Sequence, residues 1–401
     1  MIQRKEGFSL VELIVVMAIF VIVIGISGTA FNSLLSHSAR ESKSVESQIT
    51  DIIGLELMRV DVEHAGYGLP WSFPTATFCY AEAASSADTP VTGLNPLNYN
   101  DGTICPAAST PPRALVAANN AGFNNSDYLV IKSTSVAKNI ASPKWGYVTD
   151  AGVKKTWADA ADNLQPGERV IVISPSFVTP GDMRLVTSGS NFFANYSSTP
   201  GNANHLRNFY PTELNQKFLI YGVNPTTDLR MPFNRADFYI KSPASAVEHS
   251  QRCAPNTGVL YKATLSHTDG TLTDELPLLD CVADMQIIFK LDMNADGVTG
   301  TTSNANGSSV TSSEGATIAT VQAALDSAAQ IRQSLKEVEI HVLTHEGGKD
   351  RNYSYPNTSI TLHSASYGKT FDLSATIGGD WRNYRWKVYT LVMKPKNMGT
   401  N

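Results

Sequence analysis

A single carboxylate, Glu12, stands inside an otherwise uncharged run that extends from position 7 to position 31. Placing an acid there costs roughly 2.5–3.5 kcal/mol on membrane-insertion scales, so the side chain calls for a positive partner. A second constellation is Asp292, Asn294, Asp296 and the Val298 carbonyl, with Gly297 between them to permit a turn. Oxygens spaced in this way converge on a hard cation, and calcium is the one cofactor these residues suggest. The competing reading is an Asx-rich turn, which Asp, Asn and Gly form without an ion. Other pairings fail on spacing. His341 and His345 would share a metal on a helix, yet Val338, Ile340 and Val342 alternate as in a strand. Four strand residues cover about 13 Å at ~3.3 Å each, too far for joint chelation. Gly368-Lys369-Thr370 ends like a phosphate-binding loop, but His363 occupies the place of its first glycine. No Gly-x-Ser-x-Gly elbow occurs, and no enzyme chemistry is expected.

The element that presents Glu12 is easily read. Arg4 and Lys5 form a basic leader, and residues 13–26 carry no charge. Together with residues 8–11 they approach the ~20 residues that span a bilayer. The basic leader stays cytoplasmic, which places the rest of the chain across the membrane. A cleaved secretory signal would be shorter and free of acids, and a plain anchor leaves Glu12 unexplained. The helix is expected to continue over 32–65 with Val45, Ile49, Ile52, Ile53, Leu57 and Val62 as a buried stripe. Gly66, Gly68 and Pro70 end it.

Gly7-Phe8-Ser9-Leu10-Val11-Glu12-Leu13 resembles the class III signal of type IV prepilins and type II secretion pseudopilins. The resemblance implies cleavage by a prepilin peptidase between Gly7 and Phe8, and N-methylation of Phe8. It also implies that Glu12 pairs with the N-terminal amine of a neighbouring pilin during filament assembly. Two opposite charges attract strongly at low dielectric, and pairing removes much of the burial cost.

The chain has 401 residues, 17% of them charged, and a net charge of −5. That composition suits an exported, loop-rich β protein and gives no reason to expect nucleic acid as a partner. Four cysteines, Cys79, Cys105, Cys253 and Cys281, read as two disulfides with three connectivities open. Sequential pairing closes loops of similar length. Zinc is the rival, but no two cysteines have the C-x₂₋₄-C spacing.

Strands are expected at 127–132, 168–173, 217–223, 238–240, 258–263 and 338–344, from β-branched and aromatic runs bounded by Gly, Pro and Asn. A helix is expected near 321–331, and a polar low-complexity loop at 298–317. The EF-hand pattern stops at position 12, where Ser303 replaces the bidentate Glu, so Glu314 joins only by folding back. Trp381, Tyr384, Trp386 and Tyr389 fit sheet packing better than a binding patch.

Residues 276–292, His64-Ala65-Gly66-Tyr67-Gly68 and residues 384–392 are similar, in order, to blocks of PilW-type minor pilins. Insertions at 70–125, 135–165 and 180–215 lie outside that similarity. The resulting expectation is an α+β protein: leader 1–7, membrane and assembly helix 8–31, helix continuation 32–65, and a mostly antiparallel β domain over 66–401. Subdomain insertions would fall at 70–125 and 180–215. The resemblance implies a minor pilin that primes or caps a pilus beside major and minor pilins, the assembly platform and a tip adhesin. The chain would sit in the inner membrane with its head in the periplasm, then become extracellular in the pilus. A type II secretion pseudopilin and a membrane-anchored adhesin are the alternatives.

Overall fold

The computed structural model describes residues 9–74, 78–84, 94–103, 105, 107–153, 157–175, 182–196, 204–242 and 251–398; of 32, 33 and 35–51 it describes the backbone alone. One helix runs from Leu10 to Glu63. Its exit follows from glycine: the His64 N–H still reaches the Val60 carbonyl at 3.0 Å, after which Gly66 turns at φ +82°. That left-handed conformation costs glycine nothing. Residues 1–50 and 51–401 form separate units. In the first, Leu10–Phe31 is fully uncovered and is the one helical stretch among the described residues long and apolar enough to cross a membrane.

In the second unit the end of the helix packs on a sheet through Leu55, Met58 and Val62, joined by Ala65. The expected stripe is therefore rotated. Ile52, Ile53 and Leu57 are exposed, and Val62 alone of the described stripe residues is buried. Val45 and Ile49 lie outside the described side chains. Gly54 explains the rotation, because a Cβ there would overlap the Leu278 carbonyl. Only a glycine lets helix backbone meet strand backbone, so this bare face, not the isoleucines, turns inward.

The main sheet has nine antiparallel strands among the described residues. Leu115–Ala118, Tyr128–Ser133, Asn234–Lys241 and Gly258–Leu265 lead to a 20-residue strand, Leu272–Leu291. Residues near Ile288 pair with Thr301–Asn304 on one side and with Leu335–Glu346 on the other. Val310–Ser312 continues the first branch and Arg385–Met393 the second. The segment expected as a loop at 298–317 is thus partly a hairpin of the sheet. Its serines and threonines are β-compatible, and Thr301, Ser303 and Asn304 are buried there.

Alternation along Leu335–Glu346 sorts the two faces. Val338, Ile340 and Val342 join the core under the helix. Leu343 faces the other way, onto a core of Leu362, Phe371, Leu373, Trp381, Tyr384 and Trp386. Three of the four C-terminal aromatics are therefore packing residues, and Tyr389 is partly buried against the main core. The hairpin Ser359–Leu362 and Lys369–Asp372 forms this outer layer. The helix expected near 321–331 is two short ones, Ile318–Leu325 and Ala328–Ser334. Ser327 separates them, its hydroxyl accepting the Gln330 N–H.

A second sheet, six-stranded among the described residues, spans Trp145 to Asn224. Its central strand Arg169–Pro175 is buried on both faces: Val170 and Val172 enter one core, Ile171 and Ile173 another. A continuous apolar run is what such a strand requires.

The described residues of 78–113 are bound down by charge at Glu82 and Asp101. Lys132, wholly buried, lies 2.8 Å from Glu82 and 2.5 Å from Asp101. Arg235, equally buried, makes two 2.8 Å bonds to Asp237 and one of 3.3 Å to Glu82. Buried ions persist only when paired this completely. Cys79–Cys105 closes the same segment, and Cys253–Cys281 ties the turn before Gly258–Leu265 to the long strand, with Cα separations of 5.6 and 4.9 Å.

Candidate functional site

Glu12 heads the uncovered helix. Its Oε2 accepts the Ser9 N–H at 2.9 Å, while Ser9 Oγ accepts the Glu12 N–H at 3.2 Å. This reciprocal pair is a capping box, and it satisfies two otherwise orphaned donors of the first turn. A carboxylate there also faces the positive end of the helix dipole. The acid thus has a local structural role in addition to its charge. Sequence reasoning missed that role, although Ser-x-x-Glu before an apolar run is its signature. Gly7 and Phe8 lie outside the described residues.

The cation loop follows the strand Leu272–Leu291. Asp292 accepts the Asp296 and Gly297 N–H groups at 3.2 and 3.0 Å, and Asp296 accepts that of Val298 at 2.8 Å. The Asn294 side chain donates to Asp296 at 2.9 Å. These are Asx-turn bonds. Glu314 does fold back: it accepts the Met293 and Gly300 N–H groups, each at 2.8 Å, and Thr301 Oγ1 at 3.0 Å. Carboxylate oxygens of Asp292, Asp296 and Glu314 come within 4.8 Å of one another. Lys336 stands 3.6 Å from Asp292 and shares its charge.

His341 and His345 both lie in one strand and do not chelate together. His345 Nε2 accepts the Ala254 N–H at 2.8 Å. Lys369, in the sequence that ended like a phosphate loop, bonds the Asn124 and Asn125 carbonyls and lies 3.1 Å from the buried Asp284. It is committed to the fold.

The model of the prokaryotic N-terminal methylation motif matches residues 2–28. No curated protein and no solved structure matches the chain. The motif implies processing by a prepilin peptidase and assembly with other pilins, and it fits membrane anchoring of the apolar helix before assembly. The N-terminal segment is a type IV pilin signal, and it supports the chain as a type IV pilin-like or pseudopilin-like protein.

Proposed function

We propose that this chain is a PilW-type minor pilin, structural rather than catalytic, that primes or caps a type IV pilus. The observation that carries the reading is a bare apolar helix headed by one capped carboxylate, in a chain whose remaining residues, 51–401, form a large β domain. Before assembly the helix is stored in the inner membrane with the head in the periplasm. The assembly platform then extracts it into a bundle with major and minor pilins, where Glu12 meets the amine of a neighbour. A head this large crowds axial neighbours along a shaft. It suits a tip position, beside an adhesin.

Mass spectrometry of the mature N-terminus tests the processing step: the chain should begin at methylated Phe8, and any other start overturns it. Immunogold label should collect at pilus ends, and even labelling along the shaft counts against the tip. Loss of protein secretion with intact pili would instead make the chain a pseudopilin. Normal piliation without surface attachment would make it an adhesin.

Calcium at Asp292, Asn294, Asp296 and the Val298 carbonyl belongs to the same reading. Glu314 is the specific observation in its favour, since it brings the carboxylate that Ser303 lacks.

A further inference from the structure

Three side chains from two layers meet at the outer face of the main sheet. Glu339 and His341 are alternate residues of the strand Leu335–Glu346 and so project from the same face. His363 comes from the turn between Ser359–Leu362 and Lys369–Asp372, at φ +60°. Both imidazoles present Nε2 to a single carboxylate oxygen, Glu339 Oε2, each at 3.4 Å. All three ligand atoms lie within 4.8 Å of one another.

That spacing is long for a charge-assisted hydrogen bond, which closes to about 2.7–2.9 Å. It matches a metal's coordination edge. Ligand atoms about 2.05 Å from zinc at the tetrahedral angle stand about 3.3 Å apart. The rear nitrogens are furnished as well. His341 Nδ1 lies 3.1 Å from Thr390 Oγ1, and His363 Nδ1 lies 3.2 Å from Ser364 Oγ. Second-shell oxygens at the far nitrogen are what hold metal-bound imidazoles in orientation. Lys290 sits 3.5 Å from the other carboxylate oxygen, Oε1, which leaves Oε2 for the imidazoles. The left-handed backbone at His363, uncommon for a residue with a Cβ, is the kind of local cost that persists where a side chain is held for a purpose.

We propose that Glu339, His341 and His363 bind one borderline divalent transition metal, zinc foremost. The metal clips the outer hairpin onto the sheet and leaves a fourth position open toward solvent. Two imidazoles and one carboxylate are the donor set of such ions, and a poor one for calcium or magnesium.

The test titrates zinc chloride into the untagged full-length chain in detergent, disulfides oxidised and millimolar calcium present to occupy oxygen-only sites. Calorimetry should find one zinc per chain, and zinc should raise the melting temperature. Cobalt substitution should give visible bands of a nitrogen- and oxygen-ligated tetrahedral ion. His363→Asn tolerates the left-handed turn, and Glu339→Gln is nearly isosteric. Each should keep the metal-free melting temperature while weakening zinc at least about tenfold. His64→Gln should leave binding unchanged. Wild-type affinity in both ligand variants, or no saturable binding by the unaltered chain, overturns the proposal.

Discussion

Asp61, near the end of the long helix, lies 2.6 Å from Lys262 Nζ on the strand Gly258–Leu265, and both side chains are almost wholly buried. Lys262 also donates to the Val136 carbonyl at 2.7 Å, and Lys138 reaches the other Asp61 oxygen at 2.8 Å. The helix is thereby keyed to one position on the sheet by a charge that hydrophobic contacts could not specify. Asp61→Ala strands a buried ammonium with a single carbonyl, a loss on the order of 3–5 kcal/mol. Lys138→Ala removes the half-exposed partner and should cost under about 1 kcal/mol. Urea unfolding of the two variants measures the contrast; equal effects would mean that Lys262 does not depend on Asp61.

Gly54 gives a second test of the same contact. On an exposed helix Gly→Ala gains about 1 kcal/mol. Here the new methyl meets the Leu278 carbonyl, a backbone atom that cannot rotate away. Overpacking of that kind costs about 1–3 kcal/mol, so Gly54→Ala should lower the melting temperature. Gly28→Ala, which meets nothing within 4 Å, should not lower it.

These contacts also show which parts of the fold were legible beforehand. The apolar helix, its glycine exit and the six strands expected from β-branched and aromatic runs follow from local pattern, and they lie where pattern places them. The rotation of the helix does not. Three isoleucine and leucine positions advertised a buried face, and the decisive residue was a glycine, whose contribution is the absence of a side chain. The hairpin within 298–317 was hidden because its strands are polar and short, and gain their pairing from a distant strand. The site at Glu339, His341 and His363 was half legible. Glu-x-His on a strand puts two donors on one face, but nothing local to position 363 announces that its turn folds onto that face. Buried charges such as Lys132 and Arg235 carry no sequence mark of burial at all.

Glu12 has two separable roles, the cap and the charge. Glu12→Gln retains a side-chain oxygen for the Ser9 N–H and loses only the charge; Glu12→Ala loses both. If the charge recruits the subunit, the Gln variant should insert normally yet fail to enter pili nearly as completely as Ala. Ser9→Ala should cost the helix start about 1 kcal/mol while leaving recruitment largely intact. Fractionation of membrane and sheared pili by immunoblot reads both steps. Recruitment of Glu12→Gln at the normal level would remove the charge from the mechanism.

The cation loop predicts a calcium response that depends on a residue outside the loop. Glu314→Gln keeps an oxygen near Met293 and Thr301 but removes the charge that completes the carboxylate set. Calcium should raise the melting temperature of the unaltered chain, chelation should reverse the shift, and Glu314→Gln should abolish at least most of it. Identical melting curves with calcium and with chelator would leave an Asx turn as the whole account of this loop.

His267 supplies a pH dependence whose sign is fixed by its contacts. Its Nδ1 accepts the Arg230 N–H at 3.2 Å, so Nε2 carries the hydrogen and donates to Asn234 Oδ1 at 3.0 Å. The bond accepted by Nδ1 requires the neutral ring, and burial pushes its pKa down to about 4 from the ordinary 6.5. The unfolded chain therefore takes up a proton below pH 6.5 that the folded chain refuses until about pH 4. Stability is lost as pH falls through that window, by an amount on the order of 3 kcal/mol. Asp127 and Asp284, pushed up by burial to about 7 and about 6, act with the opposite sign. Folded, they hold protons that the unfolded chain sheds, so they add stability as pH falls from about 7 toward 4. The raw curve mixes both signs, and the informative quantity is the difference between the unaltered chain and His267→Gln. That difference should favour the unaltered chain near pH 7 and shrink steadily toward pH 4. A difference that stays constant across the window would show that His267 titrates alike in the folded and unfolded chain.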